Sequence, residues 1–301
     1  MIIITGPTAC GKTPTAVALA KKINGEIVSA DSMQVYRGMD IGTAKPDMAE
    51  REEIPHHLMD IADPAEDFSA AMYQKMAKET ILDIQSRGKI PIMAGGTGFY
   101  INSVIFEKAL APEKDDDIIR QRLWEEKPEA LHSRLKAVDP ISAERIHPNN
   151  IKRIIRALAY YESNGKPISS HLENREKSEM LFRPTLIILH RDRAQLYEAI
   201  NRRAENMISK GLEEEVKNLL ASGVKETATA MQAIGYKEML PYIKGRCTIE
   251  EAVGAIRQNS RRYAKRQLTY FRHQMKGHWL SMDGKEPNEA AEIIMKIEET
   301  K

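Results

Sequence analysis

The residues best suited to chemistry stand near the start of the sequence, directly after an apolar run at 2–5. They match the phosphate-loop pattern G-x-x-x-x-G-K-[ST] and are Gly6, Pro7, Thr8, Ala9, Cys10, Gly11, Lys12 and Thr13. The glycines let successive backbone N–H groups point at phosphate oxygens, and the helix that follows adds its positive end. Lys12 supplies a charge, and the Thr13 hydroxyl suits Mg²⁺ that is otherwise held by water and diphosphate oxygens. The pattern predicts a diphosphate-binding site.

A carboxylate at Asp31 follows the next β-type run and should lie close to this loop. It has two possible chemical roles: to help hold Mg²⁺ through water, or to accept a proton from a nucleophile. Since Asp and Ser are both good capping residues, Asp31 and Ser32 also fit a plain turn or helix cap. The residues alone leave these three roles open.

The elements that must position these groups are short β-type runs separated by helical patterns, which is typical of a parallel α/β sheet. The runs are 2–5, 26–30, 89–94 and 185–190, with a further candidate at 278–281. In such sheets ligands bind at the carboxyl ends of the strands. We therefore expect the phosphate loop, Asp31 with Ser32, the glycine-rich 95–98 and the polar 191–193 to line one crevice, with the glycines of 95–98 admitting a substrate.

Residues 112–183 differ from the rest because they are long, charged, helix-forming stretches between two prolines. We predict a helical insertion there and a catalytic core made of 1–111 and 184–301. Lys152, Arg153 and Arg156 share one helical face, which fits either nucleic-acid contact or an ordinary solvated surface. Basic residues at 257–272 alternate with aromatic residues, a mixture that suits a nucleic acid, although part of this stretch must be core.

Composition gives weaker indications. A net charge of +2 over 301 residues does not by itself indicate nucleic-acid binding. No apolar run reaches the length of a membrane span, so we expect a cytoplasmic protein. Cys10 and Cys247 form no disulfide framework. Cys10 is either a small loop residue or a thiol activated by the loop dipoles. The two histidines at 56–57 are expected to be structural, because no third metal ligand lies nearby in the sequence.

Six segments along nearly the whole chain resemble the tRNA dimethylallyltransferase family. They are Gly-Pro-Thr-Ala-x-Gly-Lys-Thr at 6–13, Ser-Ala-Asp-Ser-x-x-Val-Tyr-Arg-Gly-Met-Asp-Ile-Gly-Thr-Ala-Lys-Pro at 29–46, Gly-Gly-Thr-Gly-x-Tyr at 95–100, Arg-Ile-His-Pro-Asn-Asn at 145–150, Gln-Ala-Ile-Gly-Tyr-Lys-Glu at 232–238 and Tyr-Ala-Lys-Arg-Gln-Leu-Thr at 263–269. The resemblance implies a P-loop NTPase-like parallel sheet core flanked by helices, with a helical insertion domain. It also implies transfer of a dimethylallyl group from dimethylallyl diphosphate to N6 of adenosine 37, in tRNAs reading codons that begin with U.

The resemblance assigns roles to particular residues. Asp31 matches the family's general base, and Lys12, Thr13 and Mg²⁺ would stabilise the departing diphosphate. Arg203 matches an arginine that reaches the diphosphate from the opposite side, although its supporting aspartate is Glu205 here. The positions that match tRNA-contacting segments are Asp31, Ser32, Met33, Gln34, Thr97, Arg120, Lys152, Arg153, Ile154, Ile155 and Arg156.

One departure from the family pattern concerns RNA contact. The motif Gln-Arg-x-x-Arg begins here with Lys152, which replaces an amide by a donor-only ammonium. Contact with the anticodon stem-loop backbone should persist, whereas a base-edge contact from this position is not expected. The protein is expected to be a monomer.

Two other classes compete with prenyl transfer. A small-molecule kinase of the nucleoside or shikimate type explains the phosphate loop but gives no role to the basic helices. A non-catalytic RNA-binding protein explains those helices but leaves Asp31 without a role.

Overall fold

The structure is a computed structural model that describes residues 1–106, 117–170 and 181–300. The chain divides into two compact units. The core unit comprises Met1–Ile105 and Phe182–Lys301, and the helical unit comprises Phe106–Leu181. The predicted boundaries of the insertion were 112 and 183; the first of these lies outside the described residues.

A six-stranded parallel sheet forms the centre of the core unit, in the order β3-β2-β4-β1-β5-β6. Its strands are β1 Ile2–Thr5, β2 Gly25–Ser29, β3 His56–His57, β4 Ile90–Gly95, β5 Thr185–His190 and β6 His278–Ser281. All four residues of β1 are buried, as expected for a central strand covered by helices on both faces. The prediction of a parallel α/β sheet is confirmed.

The five predicted runs correspond to five of these strands, with shifts of one residue in β2 and β4. The strand missing from the prediction is β3, which has two residues and pairs with Ile27 and Val28 of β2. A two-residue strand preceded by proline carries no periodic signal, so only the tertiary pairing reveals it.

Helices surround the sheet in the core unit. They are α1 Lys12–Ile23, α2 Met48–Arg51, α3 Ala70–Ser86, α4 Gly98–Ile105, α9 Arg193–Ser209, α10 Leu212–Ala221, α11 Tyr236–Ile243, α12 Ile249–Gln274 and α13 Pro287–Glu299. The longest, α12, begins at a capping box in which Thr248 and Glu251 satisfy each other's backbone N–H groups. Within 1–106, 117–170 and 181–300, every helix is too short or too polar to cross a bilayer.

The helical unit contains α5 Asp117–Trp124, α6 Pro128–Val138, α7 Pro140–Arg145 and α8 Ile151–Asn164. Its apolar core includes Leu131, Leu135, Ile154 and Ile155. The predicted RNA contacts of Ile154 and Ile155 are therefore wrong for their side chains, because both side chains are buried in this core. The core-facing and solvent-facing positions of α8 alternate with the helical period, so the motif that contains both isoleucines cannot present all its side chains outward.

Candidate functional site

The phosphate loop joins β1 to α1, and its conformation depends on two glycines with positive φ angles. A Cβ at Gly6 would lie 2.4 Å from the carbonyl oxygen of Leu189, and Gly11, with φ of 96°, caps α1. Lys12 donates a hydrogen bond from Nζ to the Pro7 carbonyl oxygen at 2.8 Å, which folds its side chain back over the loop. Burial lowers the pKa of Lys12, and the attraction of Asp31 opposes this shift. The loop therefore holds the Lys12 ammonium where it interacts electrostatically with the Asp31 carboxylate.

Cys10 is buried within this loop. Burial raises the pKa of its thiol, although the positive charges of Lys12 and Arg191 act in the opposite direction. The structure thus favours the small-residue interpretation of Cys10 over an activated thiol.

Asp31 follows β2 and uses one of its two carboxylate oxygens for local structure. Its Oδ1 accepts a hydrogen bond from the backbone N–H of Met33 at 2.9 Å, as in an Asx turn. No hydrogen bond to Oδ2 is found in the part of the chain that the structure describes. The turn role and a chemical role are therefore compatible, because one oxygen fixes the side chain and the other stays available.

The glycine-rich segment after β4 approaches protein atoms closely. A Cβ at Gly95 would lie 2.2 Å from the Ala30 carbonyl oxygen, and one at Gly96 would lie 2.4 Å from Nε2 of Gln267. The expectation that these glycines admit a substrate is corrected here, since both positions are occupied by the protein's own groups. Thr97 Oγ1 accepts a hydrogen bond from the backbone N–H of Ser32 at 3.0 Å and so joins this segment to the Asp31 loop.

Gln267 of α12 connects the phosphate loop to the glycine-rich segment. Its Oε1 accepts from the backbone N–H of Thr8 at 2.9 Å, and its Nε2 donates to the Gly96 carbonyl oxygen at 2.9 Å. The side-chain amide is buried and satisfied on both sides. Sequence reasoning missed this role, although Gln267 lies within the 263–269 segment that carried the resemblance.

Arg203 extends from α9 toward the same site. Its guanidinium donates to the Thr43 carbonyl oxygen at 3.1 Å. Burial lowers the pKa of Arg203, and the attraction of the Asp31 charge is the largest effect that opposes this shift. The loop that carries Thr43 is fixed from behind by Glu215, whose carboxylate accepts from the backbone N–H groups of 40–42 at 2.8–3.0 Å. No pattern in the sequence points to this role of Glu215.

Lys12, Asp31, Arg203 and Gln267 line one cavity of about 640 Å³ within the core unit, whereas residues 95–98, which were expected in the same crevice, do not line it. Its polar and loop lining includes Thr8, Ala9, Gly11, Lys12, Thr13, Asp31, Ser32, Gln34, Thr43, Arg203, Tyr263, Arg266 and Gln267. Its apolar lining includes Met33, Met207, Ala233 and Ile234. The cavity therefore combines the cations of Lys12 and Arg203 with the carboxylates of Asp31, Glu50 and Glu52 and with an apolar wall.

Some predicted members of the crevice lie elsewhere. Residues 191–193 follow β5 but line neither this cavity nor the smaller one beside it. Asp192 instead caps α9, accepting from the Ala194 backbone N–H at 2.8 Å, and its own N–H donates to Asp283. These residues were selected from the sequence because they follow the end of a strand. The orientation of Asp192, however, is set by its role as the cap of α9.

Of the two histidines on β3, His57 has a structural contact. His57 Nε2 lies 2.7 Å from Oε2 of the buried Glu26, which Arg87 and Lys89 also contact at 2.6 Å. No cluster of three or more His, Cys, Asp or Glu side chains able to hold a metal ion occurs in the described ranges.

The basic residues differ in their surroundings. On α12, Arg257 pairs with Glu205 at 2.5 Å, and Arg261 donates to Asn201 at 2.6 Å, so part of the basic stripe holds α12 against α9. Phe271 is fully buried, which confirms that the stripe contributes to the core. In the helical unit, Lys152, Arg153 and Arg156 are exposed on α8. Arg120 lies on α5, where Arg122 pairs with Glu162.

The fold and the cavity define a class of protein: a P-loop α/β protein with a parallel sheet whose phosphate site contains a carboxylate. The IPP transferase family model matches residues 34–274. The tRNA dimethylallyltransferase of Anoxybacillus flavithermus is 49% identical over 282 residues, which cover 94% of this chain and 90% of that one.

Two solved structures are also similar. The full-length tRNA isopentenylpyrophosphate transferase of Bacillus halodurans has a TM-score of 0.73 and 44% identity, with 98% of this chain and 94% of that chain covered. A eukaryotic dimethylallyltransferase acting on tRNA has a TM-score of 0.80 and 29% identity, with 93% and 73% covered. The chain belongs to the IPP transferase family.

Proposed function

We propose that this protein transfers a dimethylallyl group from dimethylallyl diphosphate to N6 of adenosine 37 in tRNAs that read codons beginning with U. The products are N6-(dimethylallyl)adenosine and diphosphate. The observation that carries the proposal is that Lys12, Arg203 and Asp31 line one cavity. Cations and a carboxylate in one space suit a reaction in which an anionic leaving group departs as a proton is removed from the nucleophile.

The leaving group is held by the phosphate loop. Backbone N–H groups of the loop and the start of α1 bind the diphosphate oxygens, and Lys12 and Arg203 add positive charge. Negative charge on the diphosphate grows as the bond from its oxygen to C1 of the prenyl group breaks. These donors are fixed by the Pro7 and Thr43 carbonyl contacts before the reaction, so they stabilise that charge with little rearrangement.

The nucleophile loses its proton to Asp31. The exocyclic N6 of adenine is a weak nucleophile, and it carries a proton that must leave as the new N6–C1 bond forms. The Asx turn fixes Oδ1 of Asp31 on the Met33 N–H, which leaves Oδ2 to accept that proton. Met33, Met207 and Ile234 supply an apolar wall that suits the prenyl chain and limits water near C1.

Mg²⁺ fits this site as an ion that arrives with the diphosphate. Thr13 lines the cavity, and its hydroxyl makes no hydrogen bond to any described residue. Mg²⁺ commonly keeps several waters and binds through substrate phosphates and few protein groups, so the lack of an all-protein cage in the described ranges agrees with this mode. When bound, Mg²⁺ would neutralise charge on the diphosphate.

The tRNA is proposed to be held by residues of both units. The loop residues Ser32, Met33, Gln34 and Thr97 belong to the core unit, whereas Arg120, Lys152, Arg153 and Arg156 belong to the helical unit. Exposed cations on α8 suit the phosphate backbone of the anticodon stem-loop. The target base has to leave its stack to reach the cavity. We further propose that the protein works in the cytoplasm as a monomer.

A small-molecule kinase is not favoured by the comparisons, because the relatives and solved neighbours are named as transferases that modify tRNA. The direct test combines purified protein, Mg²⁺, unmodified tRNA and radiolabelled dimethylallyl diphosphate, and follows label entering RNA. A parallel reaction offers ATP and small metabolites. We expect label in wild-type tRNA and none when adenosine 37 is replaced; ATP consumption without label would instead support the kinase.

A further inference from the structure

One nitrogen of His56 is a buried acceptor with no hydrogen-bond partner in the part of the chain that the structure describes. Nδ1 of His56 lies 2.8 Å from the Ile54 carbonyl oxygen, and since a carbonyl can only accept, Nδ1 carries the proton. Nε2 then presents a lone pair. It is buried and has no hydrogen-bond partner among the described residues. Burying an acceptor without a partner is unfavourable, so a partner that is not a protein group is expected.

His56 lines a small chamber beside the large cavity. The chamber has a volume of about 40 Å³, whereas a single water needs roughly 10–15 Å³. Lys12, Thr13, Asp31 and Gln34 also line it. A water there would have several polar neighbours, which is the condition for a stable buried water.

The hydrogen-bonding capacity of these neighbours is partly used. Oδ1 of Asp31 accepts from Met33 N–H, and the Gln34 amide is engaged with Ser29 and with the Ala44 carbonyl oxygen. Among the described residues, neither Nε2 of His56 nor Oδ2 of Asp31 has a hydrogen bond, and both residues line the chamber. A water molecule has two hydrogens to donate, and Lys12 and Thr13 carry donors for its lone pairs.

We propose that the chamber holds an ordered water that donates one hydrogen bond to Nε2 of His56 and the other to the Asp31 carboxylate. His56 is thereby a positioning residue for the carboxylate that accepts the N6 proton. The Met33 contact fixes one oxygen of Asp31, and the water fixes the orientation of the other. The kinetic part of this inference rests on the proposed function, whereas the water itself does not.

The first test is a high-resolution crystal structure of the full chain, determined without Mg²⁺ and again with Mg²⁺ and diphosphate. We expect a water within about 3.2 Å of both Nε2 of His56 and an Asp31 oxygen in each structure. An empty chamber, or a water present only with Mg²⁺, would overturn the proposal.

The second test uses the His56→Asn variant, whose amide nitrogen can replace Nδ1 toward the Ile54 carbonyl while the Nε2 acceptor is lost. We expect the water to be lost and kcat to fall roughly tenfold, with KM for donor and for tRNA within about twofold of wild type. His56→Gln, which places an amide oxygen near the Nε2 position, should recover most of the loss.

His57→Asn is the matched control. It lies on the same strand but contacts Glu26 instead of the chamber, so kcat per folded molecule and the water should be unchanged. If His56→Asn loses the water and keeps wild-type kcat, the positioning role is wrong. If even the wild-type protein fails to prenylate tRNA, the proposed function fails, and the crystallographic water is still decided independently.

Discussion

Replacing Gln267 with alanine should weaken the contact between the phosphate loop and the glycine-rich segment. The substitution removes two hydrogen bonds of 2.9 Å, one from Thr8 N–H and one to the Gly96 carbonyl oxygen. A buried polar group without its partner costs about 1–3 kcal/mol. Gly96 is buried and Thr8 is partly exposed to the cavity, where water can replace its partner. We therefore expect the free energy of unfolding to fall by about 2–3 kcal/mol.

Equilibrium unfolding in urea measures this change as a lower midpoint with an unchanged m value. Gln258→Ala is the matched control, because Gln258 lies exposed on the same helix and the exchange has nearly the same effect on helix propensity. Its free energy of unfolding should stay within about 0.5 kcal/mol of wild type. If both variants unfold alike, Gln267 does not hold the loop, and its two hydrogen bonds have no energetic importance.

Three further predictions follow from the charged residues. Lys12→Ala should weaken binding of dimethylallyl diphosphate by about ten- to a hundredfold while tRNA affinity changes little, as measured by equilibrium dialysis with labelled ligands. Arg153→Ala should weaken tRNA binding and reduce the slope of log tRNA affinity against log salt concentration by about 1, while the affinity for the prenyl donor stays unchanged. Glu26→Gln should alter the acid dependence of stability, because the hydrogen bond from Arg87 holds the pKa of the buried Glu26 well below its usual range. Because the pKa of Glu26 is lowered in the folded state, its ionised form adds stability that is fully present above about pH 4.5, the ordinary pKa, and is lost as pH falls below that value. The urea midpoint of wild type should therefore fall more steeply with decreasing pH than that of the variant. If the urea midpoints of wild type and Glu26→Gln fall equally with acid, Glu26 contributes no such stability. If Lys12→Ala weakens tRNA binding and Arg153→Ala weakens donor binding, the division between donor contacts and RNA contacts is wrong.

The sequence predicted the parts of the site that depend on local pattern. The phosphate loop follows from glycine spacing, and Asp31 follows from its position at the end of β2. The parallel sheet could be predicted because the central strands β1, β4 and β5 are mainly apolar runs between helical patterns.

Contacts between distant segments could not be predicted. Gln267 reaches Thr8 across a separation of 259 residues, and nothing in its own neighbourhood distinguishes it from the exposed glutamines of α12. The glycines at 95 and 96 were correctly singled out as sites of close approach, but the approaching atoms belong to Ala30 and Gln267. Similarly, only the folded structure shows that Ile154 and Ile155 face a core while the motif that contains them also carries exposed cations.

In the proposed reaction, Asp31 accepts a proton in the cavity where Lys12 and Arg203 hold the diphosphate. The most direct test is the Asp31→Asn variant, which keeps an oxygen for the Met33 N–H but is a poor base. Binding of donor and of tRNA is measured first, and single-turnover transfer of labelled prenyl group to tRNA is then followed. We expect both affinities to stay near wild type and transfer to slow by roughly two to four orders of magnitude. Transfer at the wild-type rate would show that the N6 proton leaves by another route.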